Sequence, residues 1–224
     1  EARARRPAPV RDDKVLTAWN GLAISAFARA AQILDTPAYG KAATAAATSL
    51  KSKVYDAQKG VLKRRYRDGE SAIDGFLDDY AFLAAALIDA FEATAKPAYL
   101  DNARELTAVM LEQFWDTQAG GCFFTGKDHE PLIQRMKTGE DSAIPSGNAV
   151  AAMNFLRLHH YTGEQAYLDK AEQTFRLFRT HMGQNPFGTS SMLCALDFYL
   201  AKPKEIVLVG KRDSAEMTDL LSKI

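Results

Sequence analysis

Two pairs of adjacent carboxylates, Asp12-Asp13 and Asp78-Asp79, are the residues of this sequence best suited to acid–base chemistry. Each pair stands close to an aromatic residue, Trp19 or Tyr80, and each opens a long apolar segment. Asn20, Ser146 and Asn148 occupy similar positions at the starts of apolar segments, and His129-Glu130 lies in a long polar stretch. Carboxylates beside aromatic faces and amides suit polyhydroxylated substrates. The apolar face of a sugar lies on a ring, its hydroxyls bond to Asp and Asn, and two carboxyl groups divide acid and base roles. On this reading Asp79 is the leading acid/base, with Asp13 or Asp78 as its partner. Trp19, Asn20, Tyr80, His129, Glu130, Ser146 and Asn148 contact the substrate. A plainer reading stands beside it. Thr17, Asp78 and Ser146 are good N-cap residues, and Asp near a helix N-terminus complements the helix dipole.

The elements that must position these groups are helical hairpins. "TPAYGKA" (36–42), "KPAYLDNA" (96–103) and "EQAYLDKA" (164–171) repeat one punctuation, with Tyr39, Tyr99 and Tyr167 separated by 60 and then 68 positions. Each follows an apolar segment and opens an amphipathic one. After Pro97 the apolar residues Tyr99, Leu100, Ala103, Leu106, Met110 and Phe114 recur at helical spacing, and the segment after Gln165 does the same. The preceding segments, 21–34, 80–91 and 147–161, are apolar nearly all round, as buried helices are. A further inner helix is expected over 190–200. Each repeat therefore pairs a buried inner helix with a half-exposed outer one, in an α-solenoid or an α/α toroid. Links from inner to outer helices are short. Those from outer to inner (54–76 and 116–145) are long and enter at the inner-helix starts, which marks that face as the functional one. In the second long link, "GCFFT" and "PLIQRM" read as a small β-hairpin.

Composition narrows the function. Basic and acidic residues balance at 28 each, which gives no support for nucleic-acid or membrane-surface binding. No apolar run is long enough for a membrane span. Cys122 and Cys194 lack metal-site spacing and read as reduced thiols, consistent with a cytoplasmic protein. No nucleotide, zinc or nucleophile-elbow motif occurs, so no cofactor and no metal are expected. The organisation expected is a lead-in (1–14), a helical-hairpin portion (15–202) and a truncated strand-helix appendage (203–224), the strand being "KEIVLVG" (204–210).

"DDKVLTAWNGLAISAFARAA" (12–31), "FLDDYAFLAAALIDAFEAT" (76–94), the run from Gly120 to Leu158 and "SSMLCALDFY" (190–199) closely resemble the YyaL/spermatogenesis-associated family of thioredoxin-domain proteins. That resemblance implies an all-α fold, an α/α toroid of the six-hairpin glycosidase-like type. About half of it is present here, with a small β-hairpin insertion and a short C-terminal α/β appendage. It implies a thioredoxin-like domain and the other toroid half as partners in the parent chain, and self-association of the exposed half. Sugar epimerases of this fold use histidines, whereas the inner-helix starts here offer Asp and Tyr. Asp13 and Asp79 are loosely similar in placement to the aspartates of its unsaturated glucuronyl hydrolases. The expected function is carbohydrate binding with glycoside-hydrolase or epimerase-like chemistry on a small sugar ligand. The alternative is a non-catalytic toroid scaffold that binds a glycan or protein for the thioredoxin-like domain.

Overall fold

Proline and serine punctuation sets the helix boundaries. Pro37 and Pro97 open the first turns of two helices, where a missing N–H costs nothing. Ser146 caps a third, its hydroxyl accepting from the Ala149 N–H at 3.2 Å. The computed structural model describes residues 6–7, 11–56, 58–131, 133–201, 206, 208–211 and 214–221. In chain order the elements are β1 (Val15–Leu16), α1 (Thr17–Ile33), α2 (Pro37–Val54), β2 (Tyr55–Asp56), β3 (Val61–Arg67), β4 (Glu70–Asp74), α3 (Leu77–Thr94) and α4 (Pro97–Phe114). There follow α5 (Gly147–Thr162), α6 (Gln165–Gln184), a 3-10 turn (Phe187–Thr189), α7 (Ser190–Leu200) and α8 (Ala215–Leu221).

The helices form two layers. α1, α3, α5 and α7 pack in that order as inner helices, and α2, α4 and α6 pack outside their own hairpin partners. α3 is buried on nearly every face, as its composition predicts. α1 meets it closely at Gly21, where an added Cβ would lie 2.8 Å from the Phe82 backbone. α1 itself departs from expectation. Its composition predicts burial all round, yet Trp19, Phe27 and Ile33 are exposed. The reason is position: α1 ends the row of inner helices, so this apolar stripe has no inner helix against it among the described residues.

The β-structure also falls elsewhere than the sequence suggests. The hairpin is β3–β4, in the first long link, where Lys63 pairs with Asp74 and Arg67 with Glu70 across the ladder. β1 and β2 pair with the two ends of β3. The described residues of the expected hairpin between "GCFFT" and "PLIQRM" do not form strands. The backbone of 122–124 bonds instead to Asn148, Phe114 and Leu77, leaving one bond from the Phe124 N–H to the Met136 carbonyl. Of the expected strand "KEIVLVG" (204–210), residues 204, 205 and 207 lie outside the described residues, and the four described residues are not strand.

Two of three expected caps also differ. Leu16 and Phe76, not Thr17 and Asp78, are the N-cap residues of α1 and α3. Thr17 lies inside α1 and donates its hydroxyl to the Lys63 carbonyl at 2.7 Å, tying the helix to β3.

Candidate active site

The inner helices start together at one end of the layer, and carboxylates join each start to the next. Asp79, in the first turn of α3, accepts from the Phe76 N–H of its own helix start and from the Ala18 N–H of α1, both at 3.0 Å. Asp78 turns the other way, its Oδ1 lying close against Gly147 at the start of α5, whose N–H lowers its pKa. Gly147 is essential to that approach, because an added Cβ would meet Asp78 Oδ1 at 2.4 Å. Asp141 repeats the device between α5 and α7, accepting from the Ser146 N–H at 2.9 Å and the Ser191 N–H at 2.7 Å. Parallel helix starts bring partial positive charge together, and anionic side chains there offset it.

Burial and charge set the state of the pair. Asp79 is 1 % exposed, and burial raises its pKa to about 6 against the lowering effect of Phe76, Arg64 and Ala18. Asp78 is half-buried, and burial raises its pKa too, opposed by Arg64 and by the Gly147 N–H. Arg64 reaches them from β3: its guanidinium is 3.6 Å from Asp79 Oδ2 and 4.9 Å from the centre of the Phe76 ring. Phe76 stacks on Phe124 at 4.9 Å and meets the His129 ring edge-on at 5.1 Å. Beside it opens a cleft of about 460 Å³, lined by Ile73, Asp74, Phe76, Thr125, Asp128, His129 and Glu130. The Thr125 hydroxyl is buried and has no hydrogen-bond partner among the described residues.

The residues singled out in the sequence divide into three sets. Asp78 and Asp79 are together at the α3 start, and His129 and Glu130 line the neighbouring cleft. Trp19 is at the same end, on the exposed face of α1. Tyr80 and Asn148 are framework. Tyr80 is 2 % exposed with its hydroxyl accepting from the Leu62 N–H at 2.8 Å. Asn148 accepts from the Cys122 N–H at 2.7 Å and donates to the Cys122 and Thr138 carbonyls at 2.9 Å. Ser146 and Asn20 also spend their side chains on backbone, Asn20 donating to the Leu16 carbonyl at 2.8 Å. Asp13 is not with the pair: it is bound to Arg67 at 2.7 Å, near the turn end of the β3–β4 hairpin. Arg64, Phe76 and Asp141 escape a sequence reading. Only Arg64 carries a signal, since it shares a strand face with the buried Leu62.

Replacing Asn148 by Ala takes the partner from the buried N–H and carbonyl of Cys122 and from the part-buried Thr138 carbonyl. The expected cost is about 2–4 kcal/mol, read by urea denaturation, with faster proteolysis of that link. An unchanged midpoint would mean that the link holds by its side chains alone.

Against this geometry stands a match to a family model. The model described as Glycosyl hydrolase family 76 covers residues 18–186. The chain belongs to that family. Within family 76, the solved α-mannanase from Bacteroides thetaiotaomicron superposes with a TM-score of 0.65 at 14% identity, over 97% of this chain and 57% of that one. An inactive α-1,6-mannanase variant from Salegentibacter sp., with two consecutive aspartates changed to asparagine, was solved with α-1,6-mannotriose. It gives a TM-score of 0.60 at 17% identity, over 73% of this chain and 46% of that one. A cellobiose 2-epimerase from Spirochaeta thermophila gives 0.62 at 23%, over 75% and 44%. The fold is thus the α/α toroid, of which this chain supplies about half. Human spermatogenesis-associated protein 20 is 34% identical over 99% of the chain, bearing out the family resemblance read from the sequence. The chain spans 29% of that relative's length. No helix among the described residues is long and apolar enough to cross a membrane.

Proposed function

We propose that this chain forms the carboxylate-bearing wall of a glycan site and that Asp78 and Asp79 act there as an acid/base pair on a glycosidic bond. The observation that carries this is the pair itself: consecutive aspartates at an inner-helix start, both raised in pKa by burial, in a family 76 chain. The inactivated α-1,6-mannanase, a structural neighbour, also bears its two changes at consecutive aspartates. On this reading the leading role passes from Asp79 to Asp78. Asp79 is fully buried with an N–H on each oxygen, whereas Asp78 is half-buried and has an oxygen to spare for substrate. Trp19 supplies an exposed ring at the same end, and His129 and Glu130 supply polar contacts from the cleft. α-1,6-Linked mannose oligosaccharides are the first substrates to test. Both cysteines are free, in keeping with a cytoplasmic, reducing setting. Burial raises the Cys122 pKa to about 12, so that thiol takes no part.

Titration of the protein with mannotriose should quench or shift tryptophan fluorescence, and Trp19→Ala should weaken binding roughly tenfold, as loss of one aromatic–sugar contact would. Equal binding by the variant would remove Trp19 from the site. A second reading has its own support: Asp79 and Asp141 bond to backbone N–H groups of neighbouring helix starts, and Asp78 lies against Gly147, as the carboxylates of a non-catalytic scaffold would. Mannotriose binding without turnover would favour it.

A further inference from the structure

We infer that Arg64 is a positioning residue for the Asp78–Asp79 pair, a cation fixed over the Phe76 ring against the buried carboxylate of Asp79. The inference rests on the acid/base reading for its consequence in turnover, and on the placement of Arg64 against Asp79 and Phe76 for the coupling itself.

Arg64 is on the helix-facing side of β3, the side that carries Leu62 into the core. Its guanidinium lies over the Phe76 ring at 4.9 Å and 3.6 Å from Asp79 Oδ2. It donates no hydrogen bond among the described residues. Asp79 already receives an N–H on each oxygen, so a guanidinium bond is not needed to satisfy it. What Arg64 adds is charge at short range, kept in place by a ring rather than by the carboxylate. Phe76 is itself fixed, by stacking on Phe124 and by serving as the N-cap of α3. The cation is therefore tied to the same helix start as the pair.

The other charged neighbours do not substitute for it. On β3 and β4, Lys63 and Asp74 neutralise each other. At the end of β3, Arg67 is committed to Asp13 and Asp68. The α1 start brings Thr17, Ala18, Trp19 and Asn20, and the α5 start brings Ser146, Gly147 and Asn148, none of them ionisable. Tyr80, the next residue of α3, has its pKa raised to about 12 and stays neutral. His129, from the long link, meets Phe76 at the ring edge. Arg64 is the cation that acts on both Asp78 and Asp79.

The test is a carboxyl carbon NMR titration of aspartate-labelled protein, wild type against Arg64→Gln and Arg64→Lys, with the pH profile of turnover recorded in parallel. Arg64→Gln should raise the Asp79 midpoint by roughly half to one pH unit, a shift sized for a charge that is one-third exposed. Arg64→Lys should restore most of the shift, since it keeps the charge without the planar stack. The alkaline limb of turnover should move by the same amount in Arg64→Gln. Unmoved midpoints, or equal behaviour of Gln and Lys, would reduce Arg64 to a packing residue and overturn the inference. Shifted midpoints in a protein with no turnover would uphold the coupling and instead sink the acid/base reading.

Discussion

Asp78→Asn should lower turnover on a mannose oligosaccharide by roughly 10²–10⁴-fold, the usual contribution of a positioned proton-transfer group, while leaving the melting temperature nearly unchanged. Asp78 is half-buried, and the approach of its oxygen to Gly147 can be kept by the Asn carbonyl oxygen. Asp79→Asn should behave differently. Asn can accept from the Ala18 N–H or the Phe76 N–H but not from both through equivalent oxygens, so one buried donor loses its partner. The expected cost is about 1–3 kcal/mol. The pH dependence adds a second readout. Asp79 has a folded pKa of about 6 against an ordinary 3.8, so it binds a proton in the native state before it does unfolded. Its contribution to stability is present below pH 3.8 and is lost as pH rises through about 6. A step that needs the protonated pair falls over the same window. Steady-state rates and thermal melts between pH 4 and pH 8 check both. Asp79→Asn should flatten the stability change, and unchanged turnover in Asp78→Asn would end the acid/base assignment.

Much of this fold could be read along the chain because hairpin punctuation is local. Pro37, Pro97 and Ser146 act within one turn of where they stand, and the outer helices carry a 3.6-residue stripe. The errors arise where a partner is distant. Thr17 and Asp78 look like caps because their types are right, yet Thr17 finds the Lys63 carbonyl and Asp78 finds Gly147. The β-hairpin was hidden for a related reason. "VLKRRYR" carries charge on both strand faces, because Arg64 is held inward by Phe76 and Asp79, so Leu62 and the partly buried Tyr66 mark the core side with a cation between them. The site was half-legible: the Asp78-Asp79 pair stands out by type, whereas Asp141 joins α5 to α7 with nothing in its neighbourhood to announce it.

The largest stability effect should come from Arg157→Met, at the other end of α3 from the pair. Arg157 of α5 is 7 % exposed and binds Asp89 of α3, itself 2 % exposed, at 2.6 Å. Its guanidinium also holds Glu92 at 2.8 Å, and the Tyr161 hydroxyl donates to Glu92 at 2.6 Å. Burial alone would lower the Arg157 pKa, but Asp89 and Glu92 outweigh it and keep the cation charged. Arg29 of α1 offers Asp89 a weaker contact at 3.4 Å and is 61 % exposed, so it cannot replace Arg157. Removing Arg157 strands a buried carboxylate, at an expected cost of roughly 3–5 kcal/mol. Removing both charges, in Arg157→Met with Asp89→Leu, should recover most of that loss, because the desolvation of two ions disappears along with their attraction. A double-mutant cycle by urea denaturation measures the coupling. A single-variant cost below about 1 kcal/mol would place the pair among solvated, weakly coupled ions. A large one has a consequence for the site. α3 is then pinned at one end by Asp89 and Glu92 and at the other by Asp78 and Asp79. A variant that loosens the far end should also let the α3 start drift from Ala18 and Gly147, and lower turnover before the protein unfolds.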